Sequence, residues 1–196
     1  KEIEKAYFLS MHDLIHQMIN EEIPMKEKKE LIEKATEVML EVFAGPAEDL
    51  TKKITNEPIH LLHAQKLCAN AKEVGYSSDK LLQLKICILQ CIMTVFRDFE
   101  AAEPLLIEID KDIEAGFSLT PYYDALLKVN KGFLAHNQAN HDLAIQLMNE
   151  GMIILAPYEE YKGDRLRVIA NLIQYHAMRG ENKKAEKFND EVGEKI

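Results

Sequence analysis

Apolar residues recur at spacings of three and four along almost the whole chain, the period that gathers them on one face of an α-helix. The pattern predicts about ten helices, at 2–20, 25–43, 46–55, 58–74, 78–96, 100–115, 121–137, 141–155, 158–179 and 181–194. No Val-, Thr- or Ile-rich run alternates with polar residues between turn signals, so strands are not expected. The breaks between helices carry specific chemistry. Thr120 offers a capping hydroxyl before Pro121, whose missing N–H is harmless at a first helical position. Asn140 is placed to cap a helix that begins at His141. Gly45-Pro46 and Asn56-Glu57-Pro58 read as stop-and-restart signals, and Gly75, Gly116 and Gly180 fall where helices need left-handed C-caps. Every connection is short, which predicts antiparallel packing of successive helices.

A longer period overlies this pattern. With "FEAAEPLLIEI" (99–109) written above "HDLAIQLMNEG" (141–151) and "NKKAEKFNDEV" (182–192), Ala102, Ala144 and Ala185 align at nearly equal intervals. Four positions later stand Leu106, Met148 and Asn189; seven later stand Ile109, Gly151 and Val192. A fainter copy has Ala64, Cys68 and Ala71, with Ala64 a slightly shorter interval before Ala102, and a weaker one centres on Ala35 and Met39. A small residue at the anchor lets another helix cross closely, and the positions four and seven later lie on the same face.

These segments resemble the second helices of tetratricopeptide repeats, in the longer variety of about 42 residues. The resemblance implies an all-α fold, a right-handed α-solenoid of about five antiparallel helical hairpins. It implies a single repeat domain over 1–196, with the clearest repeats at 78–195 and degenerate repeats or an N-terminal cap at 1–75. The first-helix pattern of that family is mostly missing: there is no Trp, Gly132 matches its glycine, and Gln90 and Ile173 stand at the corresponding places. A generic helix-hairpin solenoid therefore stays open as the alternative. Within the resemblance Pro104 is a tolerated feature near the first turn, in a helix that begins nearer Ala101 than Phe99 or bends slightly. The charged last segment suits a capping helix or the approach to another domain.

Composition narrows the function without naming it. The 196 residues are 47% hydrophobic and 29% charged, enough for one sizeable core. A net charge of −9 disfavours nonspecific nucleic-acid binding and an anionic membrane surface, and suits a neutral or basic partner. No apolar run reaches about 18 residues, so no membrane span is predicted. Cys68, Cys87 and Cys91, odd in number and set among apolar neighbours, argue against a disulfide framework and for a reducing, cytoplasmic setting.

The candidate chemistry is thin. His12 and His16 lie one helical turn apart, a spacing that shares a metal in zincin helices, but Asp13 stands near them where that motif has Glu, and no third ligand is evident. His60 and His63 form a looser pair. Cys87 and Cys91 sit among Ile86, Ile88, Leu89, Ile92 and Met93 and read as buried small hydrophobes. No phosphate-binding Gly loop, nucleophile elbow or convincing acid/base carboxylate pair is found. No catalytic residue, metal or cofactor is expected.

In the resembled family the first helices of the pairs line a concave groove. Counting back from the anchor alanines, the resemblance places Cys87, Cys91, Val129, Phe133, His136, Arg167, Ala170 and Gln174 along it. Asn130 and Asn171 share one repeat position, separated by the same interval as Ala144 and Ala185. The expected ligand-binding residues are Asn130, Phe133, His136, Arg167, Asn171 and Gln174, with both amides facing the groove. The implied function is a non-catalytic protein- or peptide-binding module, the sensor or scaffold region of a larger regulatory protein. The alternatives are a helical metal-dependent enzyme using His12 and His16, and a self-association module that would make the chain a homo-oligomer.

Overall fold

A computed structural model of the chain describes residues 23–43 and 54–193. The predicted helix at 2–20, the His12/His16 pair and most of the predicted helix at 46–55 lie outside the described residues. Among the described residues the fold is all-helical, with no strand. The helices are α1 Met25–Phe43, α2 Ile59–Glu73, α3 Asp79–Cys91, α4 Phe99–Glu114, α5 Pro121–Asn137, α6 His141–Leu155, α7 Lys162–Met178 and α8 Asn182–Gly193.

The helix ends follow from side-chain and backbone chemistry. Ser78, Asp98 and Asn140 accept hydrogen bonds from the first-turn N–H groups of Leu81, Ala101 and Leu143. Thr120 does not cap with its hydroxyl as the sequence suggests; its carbonyl accepts from the Asp124 N–H while Pro121 fixes the first turn. Gly75, Gly116 and Gly180 have positive φ at three helix ends, and Ala139 (φ 61°) takes that role after α5. At the Ala139 turn the Asn140 N–H reaches back to the Ala135 carbonyl at 2.8 Å, satisfying an end-of-helix acceptor.

Three boundaries differ from the sequence expectation. Helix α4 starts at Phe99, so Pro104 lies in its second turn. It removes only the bond to the Glu100 carbonyl, and both residues are exposed, so water can take its place. The run expected as one helix at 78–96 ends in a π-type turn, Ile92–Phe96. Thr94 donates to the Gln90 carbonyl at 2.6 Å, a back-bond that competes with the regular ladder and favours such a turn. The expected helix at 158–179 is split into a 3₁₀ turn, Glu159–Tyr161, and α7. There Arg165 Nη1 donates to the carbonyls of Leu155, Ala156 and Tyr158 at 3.2, 3.1 and 2.7 Å, placing a cation on the C-terminus of α6.

Packing joins helices that are near in sequence. Helix α1 packs on α2 and α3, α3 on α2, α4 and α5, α5 on α6, α6 on α7, and α7 on α8. The anchor alanines lie inside the packing: Ala64, Ala102 and Ala144 are fully buried and Ala185 nearly so. At the α5–α6 contact the glycines have no room for a side chain. A Cβ added to Gly132 would stand 3.0 Å from Met148 Cγ and 3.2 Å from the Ala144 oxygen. One added to Gly151 would stand 2.9 Å from Val129 Cγ2 and 3.1 Å from the Ala125 oxygen.

Helix α3 is buried nearly all round, which accounts for its almost continuous apolar sequence. One core cluster runs from α1 to the first half of α5, and a second joins α5, α6 and α7 through Val129, Ala144, Met148, Val168 and Leu172. Phe133 packs against both.

Candidate functional site

Helices α3, α5 and α7 bring polar side chains to a common seam between these cores. Gln90 on α3 and Asn130 on α5 are buried, at 1% and 0% exposure. Buried amides must find partners, and the neighbours fix how the Gln90 amide is turned. With its nitrogen toward Asn130 it donates to Asn130 Oδ1 at 2.9 Å, and its oxygen accepts from the Arg167 guanidinium at 2.7 and 3.2 Å.

Arg167 on α7 also pairs with Asp164 one turn earlier, Nη2 to Oδ1 at 3.7 Å. Asp164 is buried at 2% exposure and accepts from the Tyr122 hydroxyl at 3.3 Å. A carboxylate so deep needs both the cation and the hydroxyl. Burial pulls the Arg167 guanidinium below its ordinary pKa, while Asp164 and Tyr122 pull it back up. It stays charged, as arginine does in proteins. Its Nε is enclosed without a hydrogen-bond partner.

Aromatic rings wall the seam. Tyr122 stacks on Tyr161, centroids 3.9 Å apart. Burial, and then Asp164, push the Tyr122 phenol well up, so it remains a donor. His136, near the end of α5, stacks on Tyr175 of α7 with centroids 3.8 Å apart and planes 13° from parallel. Burial first, and His141 second, hold His136 below the usual histidine pKa.

The expected groove residues divide into two groups. Asn130 does not face solvent, and Asn171 is half-buried with its Nδ2 donating to the Arg167 carbonyl of its own helix at 2.7 Å. The two amides therefore do not present a matching pair to an open surface. Cys87, Cys91 and Val129 are core residues, at 3%, 0% and 1% exposure. Burial pushes the Cys87 and Cys91 thiols up to about 12, which makes them poor nucleophiles. Phe133, His136, Arg167 and Asn171 are partly exposed, and Ala170 and Gln174 are exposed.

Gln90, Tyr122 and Asp164 complete the network and were absent from the expected site. Tyr122 and Asp164 are separated by the same interval as Ala102 and Ala144, which is the signal that would have joined them.

A separate cleft of about 270 Å³ lies where α2, α3 and α4 meet, lined in part by Cys68, Lys72, Tyr76, Lys85, Glu108 and Asp112. Lys85, only 8% exposed, donates to Asp112 at 2.7 Å, and Glu108 lies between Lys72 and Lys85. Its inward charges are thus paired with one another. Among the described residues no three His, Cys, Asp or Glu side chains gather as a metal site, and no helix is long and apolar enough to cross a membrane. Compared with family models, with curated proteins and with solved structures, the chain finds no match.

Proposed function

We propose that the chain is a non-catalytic protein- or peptide-binding module, a solenoid of antiparallel helical hairpins similar to tetratricopeptide repeats. The contact order supports this architecture: α5, α6, α7 and α8 each pack on the next, and the links at 138–140 and 179–181 are short. The near-constant interval between the buried alanines supports a repeat.

The observation that carries the binding reading is the seam itself. A buried network of Gln90, Asn130, Arg167, Asp164 and Tyr122 fixes α3, α5 and α7 relative to one another. Beside it stand Phe133 and His136 on α5 and Asn171 on α7, all partly exposed, and the exposed Gln174, while the partly exposed Arg167 belongs to the network and to this strip alike. A preformed surface spends little ordering entropy on binding, and an extended peptide takes both apolar and hydrogen-bonding contacts from such a strip. The acidic chain favours a neutral or basic peptide.

Selection from a random peptide library on the purified chain, followed by calorimetry, tests this. Phe133→Ala and Gln174→Ala are expected to weaken a selected peptide by about 1–3 kcal/mol while the melting temperature of Gln174→Ala stays within a degree or so of the parent. Failure to enrich any peptide, or equal affinity for parent and both variants, would contradict the proposal.

A further inference from the structure

The turn between α5 and α6 holds a histidine pair of which the proposed binding strip takes only His136. His136, in the last turn of α5, and His141, the first residue of α6, face each other with their Nδ1 atoms 3.2 Å apart. Their ring centroids are 5.0 Å apart and their planes are tilted by 50°. Two imidazoles joined by a straight N–H···N bond of that length would hold their centroids about 5.5 Å apart. The shorter separation means that the ring axes through Nδ1 bend away from each other's nitrogen. Where the two bends are equal and to the same side, the axes converge about 2 Å beyond each nitrogen, at an angle of about 100°. That distance and angle are close to those of a tetrahedral zinc ion on two imidazoles. The same arrangement read as a hydrogen bond has an N–H···N angle of about 125–130°, short of the roughly 150° or more that such bonds prefer.

The two rings are also held in place. The backbone between them is fixed by the left-handed Ala139 and by bonds from Ala139 N to the His136 carbonyl (3.0 Å) and from Asn140 N to the Ala135 carbonyl (2.8 Å). The His136 ring lies flat on Tyr175. Ligands locked before the ion arrives lose little entropy on binding it.

We propose that His136 and His141 form a two-histidine site for a divalent transition metal that favours imidazole, Zn²⁺, Ni²⁺ or Cu²⁺, with water completing the coordination. Two protein ligands make it weaker than a four-ligand structural zinc site. A bound ion clips the end of α5 to the start of α6. This assignment rests on the two rings; it shares His136 with the peptide-binding strip but does not require that a peptide binds.

The test uses the full chain without a polyhistidine tag, stripped with chelator and titrated with zinc chloride by calorimetry and thermal melting. One equivalent is expected to bind and to raise the melting temperature. Binding is expected to survive in the double variant His12→Ala/His16→Ala and to weaken at least about tenfold in His136→Gln and in His141→Gln. Ring ¹⁵N spectra of the unaltered chain give a readout that does not depend on the variants folding. On adding zinc, the Nδ1 signals of both His136 and His141 are expected to move to the metal-bound range. No zinc binding, affinity unchanged in a folded His141→Gln variant, or coordination through other nitrogens would overturn the assignment.

Discussion

At the scale of single residues, the informative positions are the buried polar ones. Asn130 has no exposed surface, so its amide serves the seam between helices instead of a ligand. Removing it takes from the Gln90 amide nitrogen its Asn130 acceptor in a dry place. Asn130→Ala is expected to lower unfolding free energy by about 1–3 kcal/mol in a urea titration, whereas exposed Gln174→Ala is expected to change it by no more than about 0.5 kcal/mol. Equal midpoints for the two variants would show that the network is worth little. Sequence spacing paired Asn130 with Asn171 but carried no information on the direction of either amide. An equal interval does not say whether a neighbouring helix covers one of them. Gln90 supplies that cover for Asn130, and only three-dimensional packing brings the two together.

At the scale of helices, the buried alanines and the close glycines set how near the helices approach. The spans 121–137 and 141–155 were legible to the residue, because their apolar period runs up to strong stop signals. The π-type turn at Ile92–Phe96 and the 3₁₀ turn at Glu159–Tyr161 were not. One depends on the Thr94 back-bond, the other on Arg165 holding three carbonyls, and apolar periodicity registers neither.

Two glycine substitutions separate local preference from packing. Gly151→Ala puts a methyl against Val129 and the Ala125 backbone, where it has no room. The variant is expected to lose about 1–3 kcal/mol, the usual cost of overpacking, despite the better helix propensity of alanine. Gly163→Ala meets nothing within 4 Å, and its glycine has no positive φ, so it is expected to gain about 0.4–1 kcal/mol. Ala144→Leu, at a fully buried anchor, is expected to be as damaging as Gly151→Ala. Urea midpoints of the three variants check these values, and a harmless Ala144→Leu would mean that α6 crosses its neighbour elsewhere.

At the scale of the molecule, two cores meet at a seam that α3, α5 and α7 share. Phe133 touches both cores, so the strip beside it is set by the relative placement of these helices. That is the physical content of the proposed preformed surface: the groups offered to a ligand are ordered by buried groups, and Arg167 is common to both. The all-helical class of the described residues was readable from periodicity alone, since a period of 3.6 runs through them where strands would need a period of two. The central claim is that ligands bind along the strip on α5 and α7. Its most direct measurement is an amide chemical-shift titration of the ¹⁵N-labelled chain with a library-selected peptide. The proposal expects the largest changes at Phe133, His136, Arg167, Asn171 and Gln174, and small changes along α4 and α8. Changes concentrated on α4 or α8, with the strip unmoved at saturating peptide, would contradict it.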